Sequence, residues 1–190
     1  MALRKIWSRE SMPEETDAAL LQRVAEGEIA AFRRVHSRFH GKVYGFAMRL
    51  LQRPDLADEV ASDTMMVVWQ KAGSFRGEAR PETWILGITY RLALKAMRTK
   101  ARAALNDEID EDMVDEKAGP QVVEALFARR TIAEALRDLP AEQRAIVQLT
   151  YYYGYRLVEI AEITGLPIGT VKTRMFHARA KLRKSLGDLA

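Results

Sequence analysis

A group of basic side chains lies near the C-terminus, in a stretch that contains no acidic residue. They all fall between Ile168 and Lys184: Lys172, Arg174, Arg179, Lys181, Arg183 and Lys184. Ammonium and guanidinium groups bind the phosphates of nucleic acids, and their clustering on one segment favours such a partner. This segment therefore predicts a surface that binds a nucleic-acid backbone.

Apolar spacing indicates that these bases lie on a helix, predicted over residues 168–185. At about 100° per residue, five small or apolar side chains share one face: Ile168, Val171, Met175, Ala178 and Leu182. The opposite face carries Thr173, His177, Ala180, Lys181 and Lys184. We expect the first face to pack and the second to meet a partner.

A tight turn precedes this helix. Residues 157–164 fit a short helix, Gly165 can adopt the left-handed conformation that ends it, and Pro167 suits the start of the next helix. A short helix, a tight turn and a basic second helix form the arrangement with which a helix-turn-helix reads DNA. The segment predicts DNA binding, and a solvated amphipathic helix is the alternative.

Composition limits the other classes of function. The chain has 190 residues, a net charge of +4 and no cysteine, which excludes disulfides, thiolate metal ligands and a thiol nucleophile. The N-terminus lacks the apolar run of a signal peptide, and no window approaches the roughly 20 apolar residues that cross a bilayer. We expect a cytoplasmic protein without direct membrane insertion.

Few residues support an enzyme. His36 and His40 have the i, i+4 spacing that can chelate a metal on a helix, but no third ligand is evident beside them. No Ser-His-Asp set, phosphate-binding loop or Gly-rich nucleotide motif occurs. We expect no catalytic residue, metal or cofactor. A metal-dependent enzyme that uses the two histidines is an alternative, which metal analysis of the purified protein would distinguish.

Apolar periodicity and the six prolines divide the chain into helices. The spacing predicts helices over 17–26, 29–52, 55–72, 81–103, 121–138, 141–153, 157–164 and 168–185. No convincing strand alternation occurs, so we expect an all-α fold. Residues 104–120 combine an acidic run with Gly119 and Pro120, which predicts a flexible linker between two helical domains.

The N-terminal half contains a second set of motifs. The predicted helix 55–72 carries an apolar face of Val60, Met65, Val68 and Trp69. A short polar loop with Phe75-Arg76-Gly77 follows, and Pro81 then opens a helix that contains Thr83-Trp84-Ile85. The charged residues from 88 to 104 are all basic. Trp69 and Trp84 lie on apolar faces, so we expect them to pack.

These motifs resemble regions 2.2 to 2.4 of a bacterial RNA polymerase sigma factor of the extracytoplasmic-function (ECF) group. The C-terminal half is similar to region 4 of that family, at Leu139-Pro140, Gly154-Tyr155, Glu159-Ile160-Ala161 and the string from Gly165 to Arg174. The resemblance covers about residues 18–102 and 131–186. It implies an N-terminal tail (1–16), a region 2 domain (17–103), a linker with a lead-in helix (104–130) and a region 4 domain (131–190).

The resemblance implies three binding surfaces. Region 4 would bind the −35 duplex through Gly169, Thr170, Lys172, Thr173, Arg174, Phe176, His177 and Lys181. Region 2 would bind and melt the −10 element through Ser74, Arg76, Glu78, Arg80, Arg91, Lys95 and Arg98. The surface for core RNA polymerase would comprise Asp58, Glu59, Ser62, Asp63 and Gln70.

The implied partners are core RNA polymerase, promoter DNA and an anti-sigma factor that holds the chain inactive. An autonomous helix-turn-helix regulator, acting as a dimer on a palindrome, is the alternative function. Transcription in a mixture that contains only core polymerase, promoter DNA and this chain distinguishes the two, because an autonomous regulator does not direct core polymerase to a promoter.

Overall fold

The computed structural model describes residues 15–104 and 132–186, and within them the chain is all-α, as predicted. The N-terminal half contains α1 (Asp17–Ala25), α2 (Ile29–Leu51), α3 (Pro54–Lys71), a short 3-10 helix (Ala72–Ser74) and α4 (Pro81–Ala104). In the C-terminal half, residues 132–137 are the described part of α5. They precede α6 (Ala141–Tyr151), α7 (Leu157–Thr164) and α8 (Ile168–Leu186).

Local signals set most helix ends where the sequence places them. The Thr16 hydroxyl caps α1 by accepting from the Ala19 N–H at 3.2 Å, and Pro54 and Pro81 are the first residues of α3 and α4. Gly165 ends α7 in the left-handed conformation, at φ 69°. The prediction for this turn is confirmed, because the residue without a Cβ stands where the backbone needs a positive φ.

One helix ends earlier than predicted. Apolar spacing predicts α6 to Tyr153, but the helix stops at Tyr151. The chain reverses at Gly154, which has a φ of 71°, and the Tyr153 N–H donates to the Gln148 carbonyl. Residue 104, predicted as the first residue of the linker, is the last residue of α4. The rest of the predicted linker, residues 105–120, and the predicted helix 121–138 up to residue 131 lie outside the described residues.

The first four helices enclose one apolar core. Its buried members come from all four helices and from the 3-10 helix: Leu20, Leu21, Val24, Ala31, Val35, Phe39, Val43, Ala61, Met65, Val68, Ala72, Ile85 and Ile88. Trp69 and Trp84 pack half-buried against this core. The Trp69 ring contacts Phe32 at a centroid distance of 5.2 Å, and the Trp84 ring contacts Phe75 at 5.6 Å. Both tryptophans therefore pack, as predicted.

A second core joins the two halves of the chain. It combines Phe46, Leu50, Leu86 and Tyr90 of α2 and α4 with residues of the C-terminal half, among them Ile146, Leu149, Tyr155, Ile160 and Ile163. The backbones approach closely at Gly87, where a Cβ would lie 3.2 Å from the Ile163 carbonyl oxygen. The sequence predicts two helical units but not this shared core.

We predict that Ile160→Ala lowers the free energy of unfolding by about 2–5 kcal/mol, because it removes a fully buried side chain from the shared core. Val158→Ala on the same helix is the control, since Val158 is exposed and its truncation should change stability little. Urea unfolding followed by circular dichroism measures both. Equal stability losses in the two variants would contradict the assigned core.

Candidate nucleic-acid interface and polymerase-binding face

Helix α8 is oriented by one buried face. Val171, Met175 and Ala178 are buried against α6 and α7, which leaves the predicted partner face exposed: Thr173, His177, Ala180, Lys181 and Lys184. The prediction that Ile168 also packs is wrong. Ile168 is 41% exposed, because it is the first residue of α8 and precedes the part of the helix that reaches the core.

Most residues predicted to bind the −35 duplex share this exposed side of α8. Gly169, Lys172, Thr173, Phe176, His177 and Lys181 are exposed, and Thr170 is half-buried. The Thr173 hydroxyl donates to the Gly169 carbonyl at 3.0 Å, so its oxygen can still accept a hydrogen bond. Phe176 is 70% exposed and contacts the His177 ring at 5.6 Å. The helix thus presents a hydroxyl, an imidazole and an aromatic ring among cations.

Arg174 is placed differently from the other predicted −35 residues. Its guanidinium is half-buried and lies 3.5 Å from the Glu142 carboxylate of α6. The buried Tyr90 of α4 lies beside this pair. Burial raises the pKa of Tyr90, the Glu142 charge adds to that effect, and Arg174 opposes it. Arg174 therefore faces the boundary between the two halves of the chain.

The predicted −10 loop is anchored at one end and open in the middle. The Ser74 hydroxyl donates to the Lys71 carbonyl at 2.7 Å, and the ring of Phe75 packs on Trp84. Between this anchor and α4, Gly77 adopts a φ of 76°, and Arg76 and Glu78 are exposed. The loop thus presents exposed charged side chains next to a packed aromatic pair.

Helix α4, which follows this loop, carries a basic face. Arg91, Lys95 and Arg98 are exposed along it, and their i, i+4, i+7 spacing places them on one face. The Arg91 guanidinium lies back toward Gly87, and this partial burial lowers the pKa of Arg91. Arg91 nevertheless keeps its charge, because a guanidinium is not deprotonated in proteins. The structure therefore brings together three of the predicted −10 cations on one helix face.

Arg80 is the predicted −10 residue whose charge is already paired. Its guanidinium donates to the Glu159 carboxylate of α7 and lies 5.7 Å from the centre of the Tyr155 ring. Glu82 is next to it and forms an ion pair with Lys42. Periodicity does not reveal these carboxylates as partners, because each contact joins residues that are far apart in sequence.

Tyr155 separates the two ion pairs. Its buried hydroxyl has no hydrogen-bond partner of good geometry among the described residues, but it faces the Glu82 carboxylate. Burial is the main cause that raises the pKa of Tyr155, and the Glu82 charge adds to it. Burial also raises the pKa of Glu82, but Lys42 and the facing phenol outweigh it, so this pKa lies below its ordinary value. At neutral pH the phenol is neutral and the carboxyl ionised.

The predicted polymerase-binding residues lie on the solvent side of α3. Asp58, Glu59, Ser62, Asp63 and Gln70 are all exposed, opposite the buried Val60, Met65 and Val68. Met66 is 55% exposed within the same stretch, and the sequence reasoning missed it because a methionine between apolar neighbours is expected to be buried. An exposed methionine suits a protein interface, where methionine is enriched, and the acidic side chains around it suit a partner surface of opposite charge.

The two histidines stack on α2, with ring centres 4.6 Å apart. Burial, and then the neighbouring His40, lowers the pKa of His36. Residues 15–104 and 132–186 contain no group of three or more histidine or acidic side chains arranged to hold a metal ion. None of the helices described here is long and apolar enough to span a membrane.

The chain is similar to sigma factors in sequence and in structure. Residues 35–103 match the family model for Sigma-70 region 2, and residues 129–182 match that for Sigma-70, region 4. The chain is 30% identical over 175 residues to the ECF RNA polymerase sigma factor SigK of Mycobacterium sp. (strain JLS), covering 88% of this chain and 89% of the relative. It is 28% identical over 184 residues to the ECF RNA polymerase sigma-E factor of Haemophilus influenzae, covering 92% and 97%.

A solved structure shows the same fold. The sigma factor RpoE of Bartonella quintana, in a co-crystal structure with the anti-sigma factor NepR, superposes with a TM-score of 0.67 at 25% identity. The match covers 85% of this chain and all of the other. The similarity therefore extends across both halves of the chain.

We predict that Thr173→Ala and His177→Ala change the sequence preference for duplex DNA, because their side chains face outward from α8 where base edges would lie. A lost base contact costs about 1–3 kcal/mol at the cognate base pair. Lys181→Ala is the control, since loss of a phosphate contact weakens all sites equally and lowers the salt slope by about one unit. Selection from a randomised duplex library measures the preference, and unchanged profiles for both Thr173→Ala and His177→Ala would remove α8 from base recognition.

Proposed function

The chain belongs to the ECF group of RNA polymerase sigma factors, which direct promoter-specific initiation, and we propose that α8, α4 with its preceding loop, and α3 divide this work. One observation carries the proposal. The buried face of α8 turns Thr173, His177 and Lys181 outward together, on a helix that contains no acidic residue. Such a helix fits the major groove next to a phosphate backbone.

In this proposal α8 reads the −35 duplex. Thr173 and His177 lie one helical turn apart on the exposed side, so both can reach neighbouring base edges. Lys172 and Lys181 hold phosphates, which fixes the register of the helix in the groove without adding sequence information. Phe176 is exposed beside His177 and supplies an apolar contact of the kind that thymine methyl groups accept.

The loop before α4 and the basic face of α4 bind the melted −10 strand. Arg91, Lys95 and Arg98 form a line of cations that suits the backbone of a single strand. Ser74, Arg76 and Glu78 in the loop provide polar groups that can hydrogen-bond the edges of unpaired bases. Capture of a flipped base by this loop would begin strand separation without ATP.

Helix α3 docks on core polymerase through its acidic face, and the polymerase performs the chemistry. We assign no catalytic residue, metal or cofactor to this chain. Because its partners are core polymerase and promoter DNA, we place its action in the cytoplasm. An autonomous helix-turn-helix regulator would not need the acidic α3 surface or the basic α4 surface.

We predict that the double variant Asp58→Lys, Asp63→Lys no longer co-purifies with core RNA polymerase. Both carboxylates are exposed, so reversing them should change folding stability by less than about 1 kcal/mol while repelling a complementary basic partner. Glu26→Lys, Glu162→Lys is the control, because it makes the same change in net charge at exposed positions outside α3. Retained binding of the α3 variant would exclude this helix from the interface.

We also propose that an anti-sigma protein holds this chain inactive. The proposal is supported by the structural similarity to a sigma factor that was crystallised with an anti-sigma factor. A protein that binds the free chain but not the polymerase-bound chain lowers the concentration available to core polymerase by mass action.

We predict that deleting the gene of this inhibitor raises the activity of the target promoters in unstressed native cells. A reporter fused to such a promoter measures the change, and the control strain lacks both the inhibitor gene and the gene for this chain. If promoter activity stays at its unstressed level after every neighbouring gene has been deleted, control must lie in synthesis or turnover of the chain.

A further inference from the structure

A cavity of about 360 Å³ lies where α2, α5 and α6 meet. Its walls are mostly apolar and include Leu136 of α5, Val147 of α6 and the rings of Tyr151 and Tyr152. Both tyrosines are 62% exposed, so the cavity opens to solvent beside them. Sites for small molecules are concave, mostly apolar and of about this volume. We call this site the α2–α6 cavity.

A buried amide in the cavity wall has one unused hydrogen-bonding group. Gln148 is 6% exposed, and its Nε2 donates to the Arg49 carbonyl at 2.7 Å. This bond fixes the orientation of the amide, because only the nitrogen can donate. The Gln148 Oε1 has no hydrogen-bond partner among the described residues. A buried acceptor without a partner destabilises the fold, so this oxygen suits a ligand that donates an N–H or O–H.

Arg49 supplies the charge in the wall of the cavity. Its guanidinium lies over the Tyr152 ring, 3.5 Å from the centre. The Nη1 atom donates to the Gly45 carbonyl at 2.9 Å and contacts the Tyr153 hydroxyl at 3.4 Å. Within residues 15–104 and 132–186, Nε and Nη2 make no hydrogen bond. These N–H groups suit a carboxylate, so the wall favours an anionic ligand over a cationic one.

We propose that the α2–α6 cavity binds a small aromatic acid that also carries an N–H or O–H donor. The flat ring packs between the apolar walls, the donor bonds the Gln148 Oε1, and the carboxylate pairs with Arg49. Each of these three requirements comes from a different observation. A ligand that binds the folded chain stabilises it by mass action, so this chain senses such a molecule directly.

An NMR titration of the isotope-labelled full chain tests binding directly. The two probes are indole-3-acetate and 4-hydroxyphenylacetate, aromatic acids that carry an N–H and an O–H donor respectively. Molecules of about 12 non-hydrogen atoms reach a Kd of about 1 mM in a well-formed site. We expect at least one probe to saturate the chain at about this concentration or below. No saturable binding of either probe up to about 10 mM overturns the proposal.

The hydrogen bond to the buried amide is tested from both sides. Methylation of the donor, to 1-methylindole-3-acetate or 4-methoxyphenylacetate, should weaken binding to the parent chain about tenfold. Gln148→Met keeps the size of the side chain but removes the amide, so it should abolish this tenfold difference. Gln143→Met is the matched control, because Gln143 is half-buried on the same helix and lies outside the cavity wall. It should leave the difference unchanged.

The preference for an acid is tested in the same way against Arg49. Replacing the carboxylate of the probe by a neutral amide, in indole-3-acetamide or 4-hydroxyphenylacetamide, should weaken binding about tenfold. Arg49→Met should abolish this difference, whereas Arg33→Met, at an exposed position of the same helix, should preserve it. A methylation effect that survives Gln148→Met, or a charge effect that survives Arg49→Met, overturns the assignment of that contact.

Ala133→Phe fills the cavity from its exposed side. Ala133 is exposed and lines the cavity, so the added ring should block both probes while the circular dichroism spectrum and the urea midpoint stay unchanged. Ala30→Phe, at an exposed position of α2, is the control and should bind like the parent chain. Binding that survives Ala133→Phe places the ligand elsewhere and overturns the proposal. None of these measurements uses DNA or polymerase, so their outcome is independent of the proposed function.

Discussion

The burial of α4 on two sides is the constraint on which the rest of the structure depends. Ile85 and Ile88 belong to the core of the first four helices, whereas Leu86 and Tyr90 belong to the core shared with the C-terminal half. A helix buried in this way has little free surface. The proposed strand-binding cations are therefore confined to its later turns, where Arg91, Lys95 and Arg98 are exposed.

Burial also determines the orientation of α8. Three small or flexible side chains, Val171, Met175 and Ala178, fix the helix against α6 and α7, so the direction of every other residue follows from helical geometry. This explains why Thr173 and His177 point to solvent together, and why Arg174, which is adjacent in sequence to Thr173, faces Glu142 instead. The side chains proposed to recognise bases and those that attach the helix to the core thus lie on different faces of α8.

The sequence predicts what depends on local periodicity. The helices, the Gly165 turn, the exposed acids of α3 and the packing of Trp69 and Trp84 all follow from spacing and from backbone preferences. The sequence does not predict contacts between distant segments, because no local pattern encodes which surfaces meet. The Arg80–Glu159 pair and the close approach at Gly87 belong to this class. The early end of α6 does not, because the reversal at Gly154 is a local signal, and the prediction gave more weight to the apolar spacing of Tyr153.

Two ion pairs lie beside Tyr155, one between Lys42 and Glu82 and one between Arg80 and Glu159. The phenol of Tyr155 is neutral. Of the two, only the Arg80–Glu159 pair joins the two halves, and because the Arg80 side chain is 58% exposed, salt screens this pair and weakens it. A nucleic-acid strand releases condensed counterions when it binds, so its affinity falls steeply with salt. Rising ionic strength therefore weakens both the contact between the two halves and the proposed contacts with DNA, and the effect on DNA is much larger because many phosphates are involved.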